Sequence, residues 1–183
     1  MFIGWGINLI AGYVITVWLG RFLGVRAYGT YGVVMGVLLW FELGVINGVP
    51  LALRHFVAAD EENAAHLVRR ASLVQAGMAT LLFLLSYALA PVISRVLFKE
   101  PSYAVALRIA IWDIWVYAFF HIFVSLQNGL HRFGRKAFLL VLYTLSKLVC
   151  VYIFVSAYHT VHSALIANIA ASVIGLAFGF YFY

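Results

Sequence analysis

AFLLVLYTLSKLVCVYIFVSAYHTVHSALIANIAASVIGLAFGFYFY (residues 137–183) contains one Asp, Glu, Lys or Arg, namely Lys147. A bilayer core about 30 Å thick is crossed by about 20 apolar residues rising 1.5 Å each. The stretch is therefore too long for one crossing. Its only polar interruption is YHTVHS (158–163), where it divides into helices over 137–157 and 162–183.

Working back toward the N-terminus, the charged residues mark off four more apolar spans: 1–22, 28–53, 71–94 and 105–128. The fold class expected is an all-α integral membrane protein, a six-transmembrane-helix bundle. Composition agrees. The 183 residues are 66% hydrophobic and 10% charged, with mean hydropathy +1.03, whereas soluble domains average about 45–50% and about 25%. One soluble core cannot hide that excess. Residues 1–20 are uncharged and lack a basic leader region, so they read as a first spanning helix starting almost at Met1 and not as a cleaved signal. The single cysteine, Cys150, leaves no internal disulfide to form.

The net charge of +6 comes from 12 basic and 6 acidic residues. The basic residues fall in short segments between apolar runs, where they meet lipid headgroups and set topology, so nucleic acid is excluded as a partner. One side collects Arg54, Arg69, Arg70, Arg132, Arg135 and Lys136; the other has Arg21, Arg26, Arg95 and Lys99. The excess places the N-terminus in the cytoplasm, in a cytoplasmic (inner) membrane. The connection RHFVAADEENAAHLVRR (54–70) is helix-compatible and expected along the membrane surface.

Three ionisable groups fall inside spans, where charge is costly and faces a bundle interior or a wet cavity. Glu42 lies about 14 residues into the second helix, Lys147 about 10 into the fifth and Asp113 about 8 into the fourth, depths that differ by one or two turns. Two readings stand. Asp113 and Lys147 neutralise each other as an inert pair, or all three line a cavity for a charged solute. Glu42 has no evident cationic partner and is the stronger functional candidate, since a carboxylate shielded from water suits proton coupling. In FELGVINGVPLALR (41–54), Pro50 removes a donor and clashes with the preceding turn, which predicts a kink near Ile46 with Gly48 and Pro50 as hinge candidates. A kink that only improves packing is the alternative.

No Gly-x-Ser-x-Gly, phosphate loop or dinucleotide fingerprint occurs, so no enzyme and no catalytic residue is expected. His159 and His162 read as a solvated turn, not a metal site, and His121 as a satisfied interior histidine; no metal and no cofactor is expected, beyond a proton or sodium gradient as the driving force.

GRFLGVRAYGTYG (20–32) is similar to the end of helix one in polysaccharide and O-antigen (Wzx-type) flippases of the multidrug/oligosaccharidyl-lipid/polysaccharide exporter (MOP, MATE-like) superfamily. Arg21, Leu23 and Gly24 fill the Arg-x-Leu-Gly element, then Tyr28, Gly29 and Tyr31 the Tyr-Gly-x-Tyr element. Glu42, Leu43, Gly44 and Arg54 resemble the family's acidic-Leu-Gly segment and the Arg that closes it. Gly129, Arg132 and Phe133 resemble its Gly-x-x-Arg-Phe loop. The resemblance implies one lobe of a MATE/MOP-type transporter, specifically the N-terminal one. Family members have about twelve to fourteen helices in two lobes, so a missing C-terminal lobe or a second copy is the implied partner, beside membrane lipid and a lipid-linked oligosaccharide substrate. It further implies that Lys147 contacts diphosphate and that Arg21 or Arg108 receives the headgroup near the outer face. Trp112, Trp115 and Tyr117 are candidates for stacking on sugar rings. A drug/cation antiporter of the same superfamily, relying on Glu42 or Asp113, is the alternative, and a non-transporting membrane scaffold the second.

Overall fold

A computed structural model describes residues 2–96 and 98–183, with the side chains of residues 2–5, 7 and 8 left aside. The described residues form helices and short turns: α1 (Phe2–Ile46), α2 (Val49–Ala59), α3 (Ala64–Val96), α4 (Tyr103–Gly129), α5 (Phe133–Tyr158) and α6 (Val161–Tyr181). The expected start at Met1 lies outside the described residues.

The helix count needs correction. Among the described residues, five helical stretches are long and apolar enough to cross a membrane, not six: Leu9–Ala59, α3, α4, α5 and α6. The expected separate helices over 1–22 and 28–53 belong to one stretch. Arg21 and Arg26 are both exposed, and helix continues on either side of a kink that lies between them. Within α1 the helical backbone is interrupted at Gly24, at φ 77° and ψ 166°. That backbone region is essentially closed to residues with a Cβ, so glycine is required where α1 breaks.

The second break falls where Pro50 predicted it. α1 ends at Ile46, Asn47 and Gly48 form a turn, and α2 starts with Pro50 in its first turn. Side chains bond the last carbonyls of α1: Asn47 donates to Leu43 O through both its backbone N–H and Nδ2, at 3.2 and 3.0 Å, and the fully buried Gln75 of α3 donates through Nε2 to Val45 O at 3.1 Å. The segment expected along the surface resolves into α2, a turn in which Asp60 accepts from the Asn63 backbone and side chain, and the first turn of α3. The split at 158–163 is also where it was expected. His159 adopts a left-handed conformation at the end of α5, and Thr160 Oγ1 caps α6 by accepting from Ser163 N.

α4 is the central helix and packs against all five others. Its buried residues run its whole length, from Ala106 to Gly129. Small residues bring neighbours close, as in membrane bundles generally. A Cβ on Gly175 or Gly179 of α6 would sit 3.0 Å from Phe120 or Phe123 of α4, and one on Gly129 would sit 2.9 Å from Val57 and 3.0 Å from the Arg54 carbonyl of α2. Large apolar side chains cover the outside, with Trp40 78% exposed and Leu73, Leu81, Val149 and Ile153 all projecting outward. So much exposed apolar surface on long helices is that of a multi-pass membrane protein.

Candidate functional site

The polar groups of the interior converge on α4. Asp113 is fully buried there, and Glu42 of α1 is 7% exposed. Their carboxyl groups lie side by side, and the Lys147 ammonium of α5 acts electrostatically on both. Glu42, for which the sequence showed no evident cationic partner, thus shares the Lys147 ammonium with Asp113. α6 contributes two buried polar residues. Asn168 donates through Nδ2 to Asp113 Oδ2, and the Ser172 hydroxyl lies beside Asp113. Spaced four apart, Asn168 and Ser172 share one helix face. The cluster is incompletely satisfied: Asp113 Oδ1, Asn168 Oδ1 and Ser172 Oγ are buried without a hydrogen-bond partner. Buried polar atoms left so are costly and call for an explanation.

In front of the cluster lies a cavity of about 470 Å³. Lys147 and the tyrosines Tyr31, Tyr117 and Tyr143 are among its polar lining, and Gly12, Thr16 and Met35 line it as well. Gly12 and Met35 would be about 35 Å apart on a straight helix. Lining one small cavity, they show that the chain doubles back at Gly24, which is how α1 contributes two walls. Tyr117 and Tyr143 pack with ring centroids 5.7 Å apart.

Of the residues singled out in the sequence, Glu42, Asp113 and Lys147 meet here. Arg21 and Arg108 do not. Arg21 is exposed near the Gly24 break, and Arg108 lies over the Tyr87 ring of α3, 4.9 Å from its centroid. Gly48 and Pro50 stand at the α1–α2 break. Of the three aromatics considered for sugar stacking, Tyr117 lines the cavity, whereas Trp112 is exposed and packs edge-on against Phe83. His121 is a correction: its Nε2 is buried and makes no hydrogen bond, so it is not a satisfied interior histidine. Among the described residues no cluster of three His, Cys, Asp or Glu offers a metal site.

A family model described as "Polysaccharide biosynthesis protein" matches residues 1–183. No curated protein sequence matches significantly. Among solved structures, the chain is similar to one described as "Outward-facing conformation of a multidrug resistance MATE family transporter of the MOP superfamily", with TM-score 0.82 and 18% identity. The similarity covers 100% of this chain and 42% of that transporter, so the chain spans less than half its length. At this identity the two share a fold.

Proposed function

The chain belongs to the polysaccharide biosynthesis protein family, and we propose that it is the N-terminal lobe of a transporter that carries lipid-linked oligosaccharides from the inner to the outer leaflet of the cytoplasmic membrane by alternating access. The observation that carries this reading is the 470 Å³ cavity lined by Lys147 and three tyrosines, beside the buried Glu42–Asp113 cluster of a largely apolar bundle. A sugar-diphosphate headgroup is costly in hydrocarbon, and a cationic, hydroxyl-lined chamber shelters it. Lys147 meets the diphosphate, tyrosine rings face the sugars, and Arg21 and Arg108 meet the headgroup nearer the outer face.

In this reading the bundle crosses six times with its N-terminus in the cytoplasm. The Leu9–Ala59 stretch is 51 residues long, about 75 Å as a straight helix, and the reversal at Gly24 turns it into two crossings. A second lobe, or a second copy of this one, closes the chamber, and rocking between the two opens it to each side in turn. The Asn47–Gly48 turn serves as the joint, with Gln75 holding the α1 side. Glu42 and Asp113 couple the motion to a proton or sodium gradient.

The paired carboxyls also favour a second reading, cation-coupled export of drugs; the structural neighbour is described as a multidrug resistance transporter. The test is made in cells whose surface polysaccharide depends on this protein. Lys147→Gln is expected to remove surface glycan while leaving the protein in the membrane. Unchanged glycan, with efflux of a fluorescent cationic drug abolished by Glu42→Gln, supports the second reading and overturns the first.

A further inference from the structure

A second pocket, of about 250 Å³, lies at the Asn47–Gly48 break, and the transport reading assigns it nothing. Arg54 of α2 and Lys136 of α5 both line it, close enough to act on each other electrostatically. Neither has a carboxylate partner: the ion pairs among the described residues are Arg26–Glu100 and Glu61–His131. Two cations held together without an anion repel each other, and each is more favourable with a negative group between them. Lys136 Nζ donates to Asn128 Oδ1 at 3.1 Å, which fixes the ammonium at the pocket wall. Ile46 and Asn47 at the end of α1 and Leu51 in the first turn of α2 line the same pocket. His121, whose buried Nε2 has no partner, lines it from α4.

We infer that this pocket is an anion site that takes a phosphate or diphosphate group, held by Arg54, Lys136 and His121. The inference rests on the transport reading for its place in the cycle. Lys136, Leu140, Tyr143 and Lys147 recur at helical spacing on one face of α5, and Leu140 lines both pockets. On α4, Tyr117 of the large cavity touches His121 of this pocket, with ring centroids 4.5 Å apart. The two lysines are about 16 Å apart along the helix. The pocket is the first station, where the anion is caught as a ligand enters from the α2 end, and the Lys147 cavity is the second. Arg54 and Lys136 act by binding, with no covalent step.

A local readout separates the stations. Ser125 lines this pocket and not the large cavity. The full chain carrying Cys150→Ala and Ser125→Cys is placed in phosphatidylcholine nanodiscs, and the rate of thiol modification is followed against inorganic diphosphate, farnesyl diphosphate and, in separate discs, phosphatidylglycerol. Diphosphate is expected to protect the thiol. Arg54→Gln and Lys136→Gln are each expected to raise the protecting concentration about tenfold or more, as losing a charge-assisted hydrogen bond implies. Arg54→Lys retains most of the protection, and Arg69→Gln, at an exposed cation that does not line the pocket, retains all of it. Protection by farnesyl diphosphate at far lower concentration identifies an isoprenoid-linked headgroup as the source; stronger protection in phosphatidylglycerol discs identifies an acidic phospholipid; equal protection by inorganic diphosphate identifies the free anion. Each of these supports the site. It is overturned if diphosphate gives no protection, or if Arg69→Gln weakens protection as much as Arg54→Gln does. Thermal unfolding checks that each variant is folded, and Lys136→Gln carries the test if Arg54→Gln is not. Loss of glycan export in Lys147→Gln without Ser125→Cys protection would refute this site and leave the transport reading standing; protection with intact export in Lys147→Gln would do the reverse.

Discussion

Replacing Asn168 with Leu removes the hydrogen bond that joins α6 to the Asp113 carboxyl while keeping side-chain volume. Both partners are buried, and Asp113 Oδ1 already lacks a partner, so no remaining bond compensates. A hydrogen bond to a charged group contributes about 1.5–3 kcal/mol in water-soluble proteins. Interhelical polar contacts in bilayers average about 0.6 kcal/mol and reach about 1.7 kcal/mol. Complete burial and an acidic partner place this contact near the upper end, so Asn168→Leu should cost about 1.5–2 kcal/mol. For a chain of this size that is a fall of about 3–8 °C in the melting temperature. The decisive comparison is a double-mutant cycle with Asp113→Leu. Removing both partners leaves no orphaned carboxyl, so the double variant should be more stable than the two single losses sum to, by about 1 kcal/mol or more. Tryptophan fluorescence during titration of the micelle-held protein with sodium dodecyl sulfate reads all four species. Effects that add to within about 0.5 kcal/mol would mean that Asn168 and Asp113 do not depend on each other, and the interior cluster described here would be wrong.

Three further outcomes are expected. Gly129→Ala puts a Cβ 2.9 Å from Val57 and 3.0 Å from the Arg54 carbonyl, neither of which can swing away; overpacking of this kind costs about 1–3 kcal/mol, measured by the same unfolding titration, and should also impair the anion pocket. Glu42→Gln removes an ionisable group from the interior and should flatten the dependence of transport on external pH, measured as surface glycan output between pH 6 and about 8. Arg108→Ala loses the contact with Tyr87 at a partly exposed site, about 0.5–1 kcal/mol, with surface glycan output falling by less than the Lys147→Gln loss, because Arg108 stands outside the cavity.

Much of this fold was legible because its punctuation is chemical. Pro50 cannot continue a helix, and α1 stops four residues before it; YHTVHS is the one polar gap in the last apolar run, and the α5–α6 turn sits in it. The gap between the expected spans 1–22 and 28–53 narrows to a single kink at Gly24, for a physical reason. Charged side chains report where the chain meets headgroups, and a helix can pass through that zone with both arginines exposed; the stop signal was Gly24, whose backbone angles no other residue type tolerates readily. The meeting of Glu42, Asp113 and Lys147 followed from their similar depths. Asn168 and Ser172 were not singled out, since uncharged polar residues are common in membrane helices, although their four-residue spacing on an apolar helix was the available clue. In the sequence Lys136 counted only as a topology marker, and Arg54 as a topology marker and the arginine closing the acidic-Leu-Gly segment. Their convergence depends on Gly129 letting α2 approach α4, a tertiary fact.

The central claim is that this bundle turns Lys147 and its neighbours toward a wet chamber while presenting Trp40 and Val149 to lipid. Single cysteines in a Cys150→Ala background, in native membranes, test it most directly, using a charged, membrane-impermeant thiol reagent applied from either side. Thr16→Cys, Met35→Cys and Leu140→Cys, on the cavity wall, are predicted to react from at least one side, and Trp40→Cys and Val149→Cys to stay unmodified. Silence at all three cavity positions in folded protein, or equal labelling of cavity and lipid-facing positions, would contradict it.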